Sequence, residues 1–160
     1  MRKWMSLAAV AVMGLGLSGC PLFMNFQPEV RVVHASPDAP NVDVCVDGAV
    51  AFADVPFNTS TMYAAVPQGD RALNVTAAGA GCDTAGVIEA TLPFEFKTDT
   101  TIVAVDLLSN ISPLVLEDDN STPPDGFARV RFVNASPGVA PWDLRNAMGT
   151  ILADDVEALT

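Results

Sequence analysis

His34, Ser36 and Asp38 are the residues whose types suggest chemistry. A base, a hydroxyl and an acid are the parts of a nucleophilic triad, in which the base takes the hydroxyl proton and the acid orients the base. Their spacing argues against that use. Triad members converge from separated segments, whereas alternate residues of one extended stretch project in similar directions and do not reach round one another. The chain also carries its own comparison. Residues 30–44 return as residues 130–144, with seven of the fifteen positions identical. The second copy has Asn134 where the first has His34, and Gly138 for Asp38. It keeps Arg131, Ala135, Ser136, Pro137 and Asp143. What recurs is fold hardware and not the ionisable trio. Arg31, His34, Ser36, Pro37, Asp38 and Asp43 are therefore read as a structural motif, with no catalytic residue assigned. Arg31 and Asp43 recur together, which predicts an ion pair between neighbouring strands that fixes their register.

Other chemistry is sparse. His34 is the only histidine, and there is no glycine-rich phosphate loop, HExxH or GxSxG. The acidic run Glu117-Asp118-Asp119-Asn120 with Asp125 has the oxygens calcium takes but lacks the spacing of an EF-hand loop. It reads as a solvated linker, and no metal or cofactor is expected.

The elements that position the motif are short strands. Alternation predicts strands over 29–34 and 42–46, joined by a corner that Pro37 and Pro40 stiffen by excluding helix from the residues before them. Val42, Val44 and Val46 face inward on this reading. Asp47-Gly48 is a hairpin signal leading to 49–52. Residues 61–66 and 71–77 read as a hairpin across Pro67-Gln68-Gly69-Asp70. Further strands are expected at 87–96, 98–107 and 114–117, and a short helix at 151–159. Turn signals every few residues between such strands indicate an antiparallel sandwich.

The amino end reads as export machinery. Arg2 and Lys3 precede an apolar run, residues 4–17, and then Ser18, Gly19 and Cys20. That is the layout of a signal peptide, and the run is too short to span a membrane. Leu17-Ser18-Gly19-Cys20 resembles the lipobox of bacterial lipoproteins, which implies cleavage before Cys20 and its acylation. Removing the signal leaves six basic against nineteen acidic residues. That balance excludes nucleic acid, whose phosphates need clustered Lys and Arg. With Cys20 lipidated, Cys45 and Cys82 remain, and in an oxidising compartment they are expected to form a disulfide.

Residues 30–44 with Asp47-Gly48, together with Val66-Pro67-Gln68-Gly69, residues 101–106 and Pro113-Leu114-Val115-Leu116, resemble a bacterial domain-of-unknown-function family, the one numbered forty-three ninety-seven. The resemblance implies an exported or lipid-anchored protein with immunoglobulin-like sandwiches, often in tandem. The family has no established activity, so it contributes no catalytic residue.

The expected organisation is a signal peptide at 1–19 and a lipidated tether at 20–28. An all-β, immunoglobulin-like antiparallel β-sandwich follows at 29–118, then a linker at 119–127 and a partial second repeat at 128–160. The expected function is that of a lipid-anchored cell-envelope module, on the periplasmic or cell-surface face of a bacterial membrane. It would bind an envelope protein or glycan or act structurally. A metal-assisted hydrolase or a calcium-binding adhesion module is the competing class.

Overall fold

A computed structural model describes residues 27–158. The expected signal peptide at 1–19, Cys20 and most of the expected tether, up to residue 26, lie outside the described residues. The chain is all-β. Its strands are β1 Glu29–His34, β2 Val42–Val46, β3 Ala49–Val55, β4 Thr59–Ser60, β5 Ala64–Ala65, β6 Gly69–Ala77, β7 Ile88–Phe94, β8 Asp99–Val105, β9 Ser112–Asp118, β10 Trp142–Arg145 and β11 Ile151–Val156.

Two sheets make the sandwich. The first runs β4-β1-β8-β9, with β5 also on β1; the second runs β3-β2-β6-β7. All pairings are antiparallel except β1 with β8, which is parallel over its full length. Val30, Val32, Ile102 and Ala104 from the first sheet meet Val42, Val44, Leu73, Val75, Ile88 and Phe94 from the second in one core. The inward residues alternate along β1, as its pattern predicts.

The outward faces decide more than alternation does. Every residue of β2 is buried, Asp43 and Cys45 included. The reason is the segment between β6 and β7, which folds over the outside of β2. Cys82 in that segment is bonded to Cys45, with Cα atoms 5.7 Å apart. Gly79 N donates to Asp43 Oδ2 at 2.8 Å. On the first sheet β8 is likewise covered on both faces, so its Thr-Thr-Ile-Val-Ala-Val run reads as continuously buried.

Several expectations need correction. Residues 61–66 do not hairpin with 71–77. β5 pairs β1 in the first sheet, while β6 pairs β2 and β7 in the second, so Pro67 and Gln68 carry the chain between sheets. Residues 151–156 are a strand and not a helix. The loop before them is closed by Asn146, whose Oδ1 accepts Met148 N at 3.0 Å and Thr150 N at 2.9 Å, and it returns β11 onto β10. The second copy of the first strand forms no ladder: residues 127–135 have no sheet partner among the described residues. The second strand of that copy does form, as β10.

Candidate functional site

The polar centre of the molecule is Asp118, at the end of β9. Its side chain is 6% exposed and gathers partners from β1, from β8, from the segment just before β5 and from the second copy. Arg31 on β1 approaches Oδ2 at 3.7 Å. Arg131 approaches Oδ1 at 2.5 Å. Tyr63 donates its hydroxyl to Oδ2 at 2.5 Å, and Thr101 donates its hydroxyl to the same oxygen. Arg31 in turn donates from Nε to Thr101 Oγ1 at 2.7 Å and lies over the Tyr63 ring at 4.8 Å. Burial pushes the Asp118 carboxyl up. The hydrogen bonds from Thr101 and Tyr63, and then the Arg31 and Arg131 charges, outweigh it, and the group sits below the ordinary carboxylate range. Burial, with Asp118 beside it, pushes the Tyr63 hydroxyl up.

This cluster fastens the second copy to the first. Arg131 also donates to Glu117 O, and Arg129 Nη1 donates to Asp119 O and Ser121 O, each at 2.9 Å. Beside these bonds Arg31, Val33 and Ala35 line a groove of about 340 Å³ whose other wall includes Arg131, Val133 and Ala135. Equivalent positions of the two copies therefore share one groove on the outer face of the first sheet. A polar cleft of about 480 Å³ adjoins it, lined by Arg31, Asp118, Asn120, Arg129 and Arg131 among others.

The predicted Arg31–Asp43 pair is not formed. Arg31 projects from the outer face of one sheet and Asp43 from the outer face of the other, so the whole core lies between them. Arg131 and Asp143 do not pair either: Arg131 holds Asp118, and Asp143 meets Arg145 at 2.8 Å. The recurring aspartate has a backbone role instead. Asp43 Oδ1 accepts Asp54 N at 2.8 Å, and Asp143 Oδ1 accepts Asp155 N at 3.1 Å. Asp54 and Asp155 both have positive φ, 52° and 47°. Each copy thus uses its aspartate to clamp an irregular residue on the next strand, where the register shifts. The Asp54 amide and then the Gly79 amide hold the Asp43 carboxyl below its usual range, with burial opposing.

The corner residues are equally occupied. His34 is fully buried, with Nε2 3.0 Å from Pro40 O, and its Nδ1 accepts Ser36 N at 3.4 Å. In the second copy Asn134 Oδ1 accepts Ser136 N at 3.3 Å, the same bond from a different side chain. Ser36 Oγ is buried and meets no protein hydrogen-bond partner. Asp38 accepts Leu108 N at 2.7 Å, which ties the corner to the 3-10 turn Leu108–Asn110. His34, Ser36 and Asp38 are thus neighbours in sequence without forming a relay.

Sequence reasoning missed Thr101 and Tyr63, and it placed Asp118 in a solvated linker, whereas Asp118 ends β9 with its side chain buried. One signal was present: an arginine conserved between the copies at 31 and 131 needs an acid, and Asp118 lies between them. Of the linker acids weighed for calcium, Asp118 faces two guanidinium groups and Asp119 meets Arg129 at 3.0 Å. The acids that do gather, Asp143, Asp154 and Asp155, are exposed and lie on the β10–β11 hairpin, with oxygens within 4.8 Å of one another. The neighbouring Asp143 carboxylate pushes Asp154 up.

No curated protein matches the chain. A family model matches residues 28–145, running from the tether across the linker into the second copy. That match spans the sandwich, the corner motif and the Asp118 cluster, and the chain belongs to the family described as Domain of unknown function (DUF4397).

Proposed function

We propose that the chain is a lipid-anchored module of the bacterial cell envelope that binds a partner or bears structure, and that it is not a catalyst. One observation carries this reading: the ionisable groups of the corner motif, His34, Asp38 and Asp43, are all bonded to the chain's own backbone. Groups engaged in that way hold a shape. The Cys45–Cys82 disulfide supports an exported setting, because such bonds persist in oxidising compartments. Residues 1–20 supply the export and acylation signal in sequence.

The test joins anchor to activity. Cells expressing the full chain are fed an alkyne fatty acid, and the amino-terminal peptide is weighed. Label on Cys20, abolished by Cys20→Ser, is the expected result. The acylated chain is then cross-linked in intact envelopes. A discrete adduct that survives His34→Asn supports a binding module, whereas a turnover activity lost in His34→Asn overturns it.

A further inference from the structure

The register of the first sheet gives the molecule a defined lower end. Glu29 pairs with Ala65 and Asp99, and Asp99 pairs with Asp118. The start of the fold, the start of β8 and the end of β9 therefore lie in one row. The chain enters the sandwich at the end that also holds the β7–β8 turn and the start of the linker.

Two aromatic side chains stand exposed there. Phe96, in the β7–β8 turn, is 53% exposed, with Lys97 Nζ 5.6 Å from its ring centre. Phe127 is 76% exposed, on the segment that Arg129 ties to Asp119 and Ser121. Val130, on the same segment as Phe127 and in the cleft beside Asp118, adds 70% exposed apolar surface. Rings with adjoining cations suit the boundary between headgroups and acyl chains, where the ring sits among glycerol and acyl carbons and the cation among phosphates.

The length of chain below this end limits what can lie against it. Six residues, 21–26, separate Cys20 from Gln27, and four of them are Leu22, Phe23, Met24 and Phe26. A chain of that length spans at most roughly 25 Å. A lipid on Cys20 thus keeps the aromatic end within one tether length of the bilayer.

We propose that this end is a membrane-docking surface, with Phe96 and Phe127 seated in the headgroup boundary of a zwitterionic phospholipid bilayer. The proposal rests on the lipid-anchor reading above. Glu29, Asp99, Glu117 and Asp119 at the same end repel anionic headgroups. The acyl chains on Cys20 are then one of two contacts, and the sandwich stands at a fixed orientation on the surface instead of swinging on its tether.

The experiment uses the full acylated chain in vesicles of phosphatidylethanolamine and phosphatidylcholine with brominated acyl chains. Trp142→Phe removes the tryptophan of the described fold, and a single reporter is placed by Phe96→Trp, Phe127→Trp or, at the opposite end, Phe57→Trp. Bromolipid is expected to quench the reporters at 96 and 127 at least about twofold more than the one at 57. Equal quenching at all three positions overturns the proposal. So does emission at 96 and 127 that follows protein density in the bilayer and ignores bromine, which would mark a contact between copies. The mass of Cys20 is read separately. If its thiol is free, the anchor reading fails alone. Coupling that thiol to a maleimide phospholipid restores the same tether, and the quenching comparison then decides the surface by itself.

Discussion

Arg31 and Arg131, one hundred residues apart and at the same position of the two copies, bind the same carboxylate, that of Asp118. Asp118 thereby joins strand β1 of the first copy to the unpaired equivalent segment of the second. A carboxylate buried between two guanidiniums is costly to leave half-paired, and its loss should be felt on both sides.

Asp118→Ala is expected to lower stability by about 2–4 kcal/mol, since it leaves the Tyr63 and Thr101 hydroxyls without their acceptor and both arginines without their counter-charge. Limited proteolysis should then cut within 119–135 faster than in the parent chain. Arg131→Ala should speed the same cleavage with a smaller loss of stability, because Arg31 remains on Asp118. Unchanged cleavage in both variants would show that the cluster does not hold the second copy.

Asp43 and Asp118 both have carboxyl groups held low in the folded chain. Their contribution is fully present above the unfolded aspartate value of about 3.9, and it is lost as pH falls below that value through the lower folded values. Denaturant titrations should show flat stability from pH 7 to about 5 and a fall below about 4. Asp43→Asn should flatten part of that fall, which a pH series on the variant reads directly.

Reducing Cys45–Cys82, or replacing both with alanine, removes a link across a sequence separation of 37. Loop-closure entropy puts the loss at roughly 3–4 kcal/mol. Asp43 loses the Gly79 amide with it, so hydrogen exchange should rise over residues 78–87 before it rises in β1 or β8.

Gly86→Ala tests packing with a single carbon. A Cβ at that position would lie 1.9 Å from Asn74 Oδ1 and 2.6 Å from Val75 O. Asn74 donates to Cys82 O and Thr84 O at 2.9 Å each, so its displacement would loosen the disulfide segment. A loss of about 1–3 kcal/mol is expected by chemical denaturation.

His34→Asn should be milder than His34→Ala. Asn134 already makes the corner bond in the second copy, accepting Ser136 N where His34 accepts Ser36 N. A difference of about 1–2 kcal/mol between the two variants is expected, because the alanine leaves the Ser36 amide without its acceptor. Equal losses would mean that the ring's volume, and not its hydrogen bond, sets its role.

Local pattern made much of this legible in the sequence. The alternation of β1, the Asp47-Gly48 turn and the pair of prolines in the corner each act within a few residues, so type and spacing suffice to read them. The disulfide was legible too, because the expected lipidation of Cys20 leaves only Cys45 and Cys82 to pair. The helix expected over 151–159 failed for a physical reason: the periodic signal there is short, and Asn146 closes a loop that delivers the segment to β10.

Tertiary structure alone decided which outward faces are covered. The sequence by itself determined that β2 presents Asp43 and Cys45 on one side and valines on the other, because side chains alternate along any strand. It could not say that the 78–87 segment would bury the polar side, or that Arg31 would look away from Asp43 toward Asp118. Those outcomes depend on strand order. β1 lies parallel to β8, distant in sequence, and that placement sets Arg31 beside Thr101, with the Asp118 side chain of β9 reaching both. Long-range pairing is set by how two whole sheets close over a common core, and no short stretch of residues encodes it.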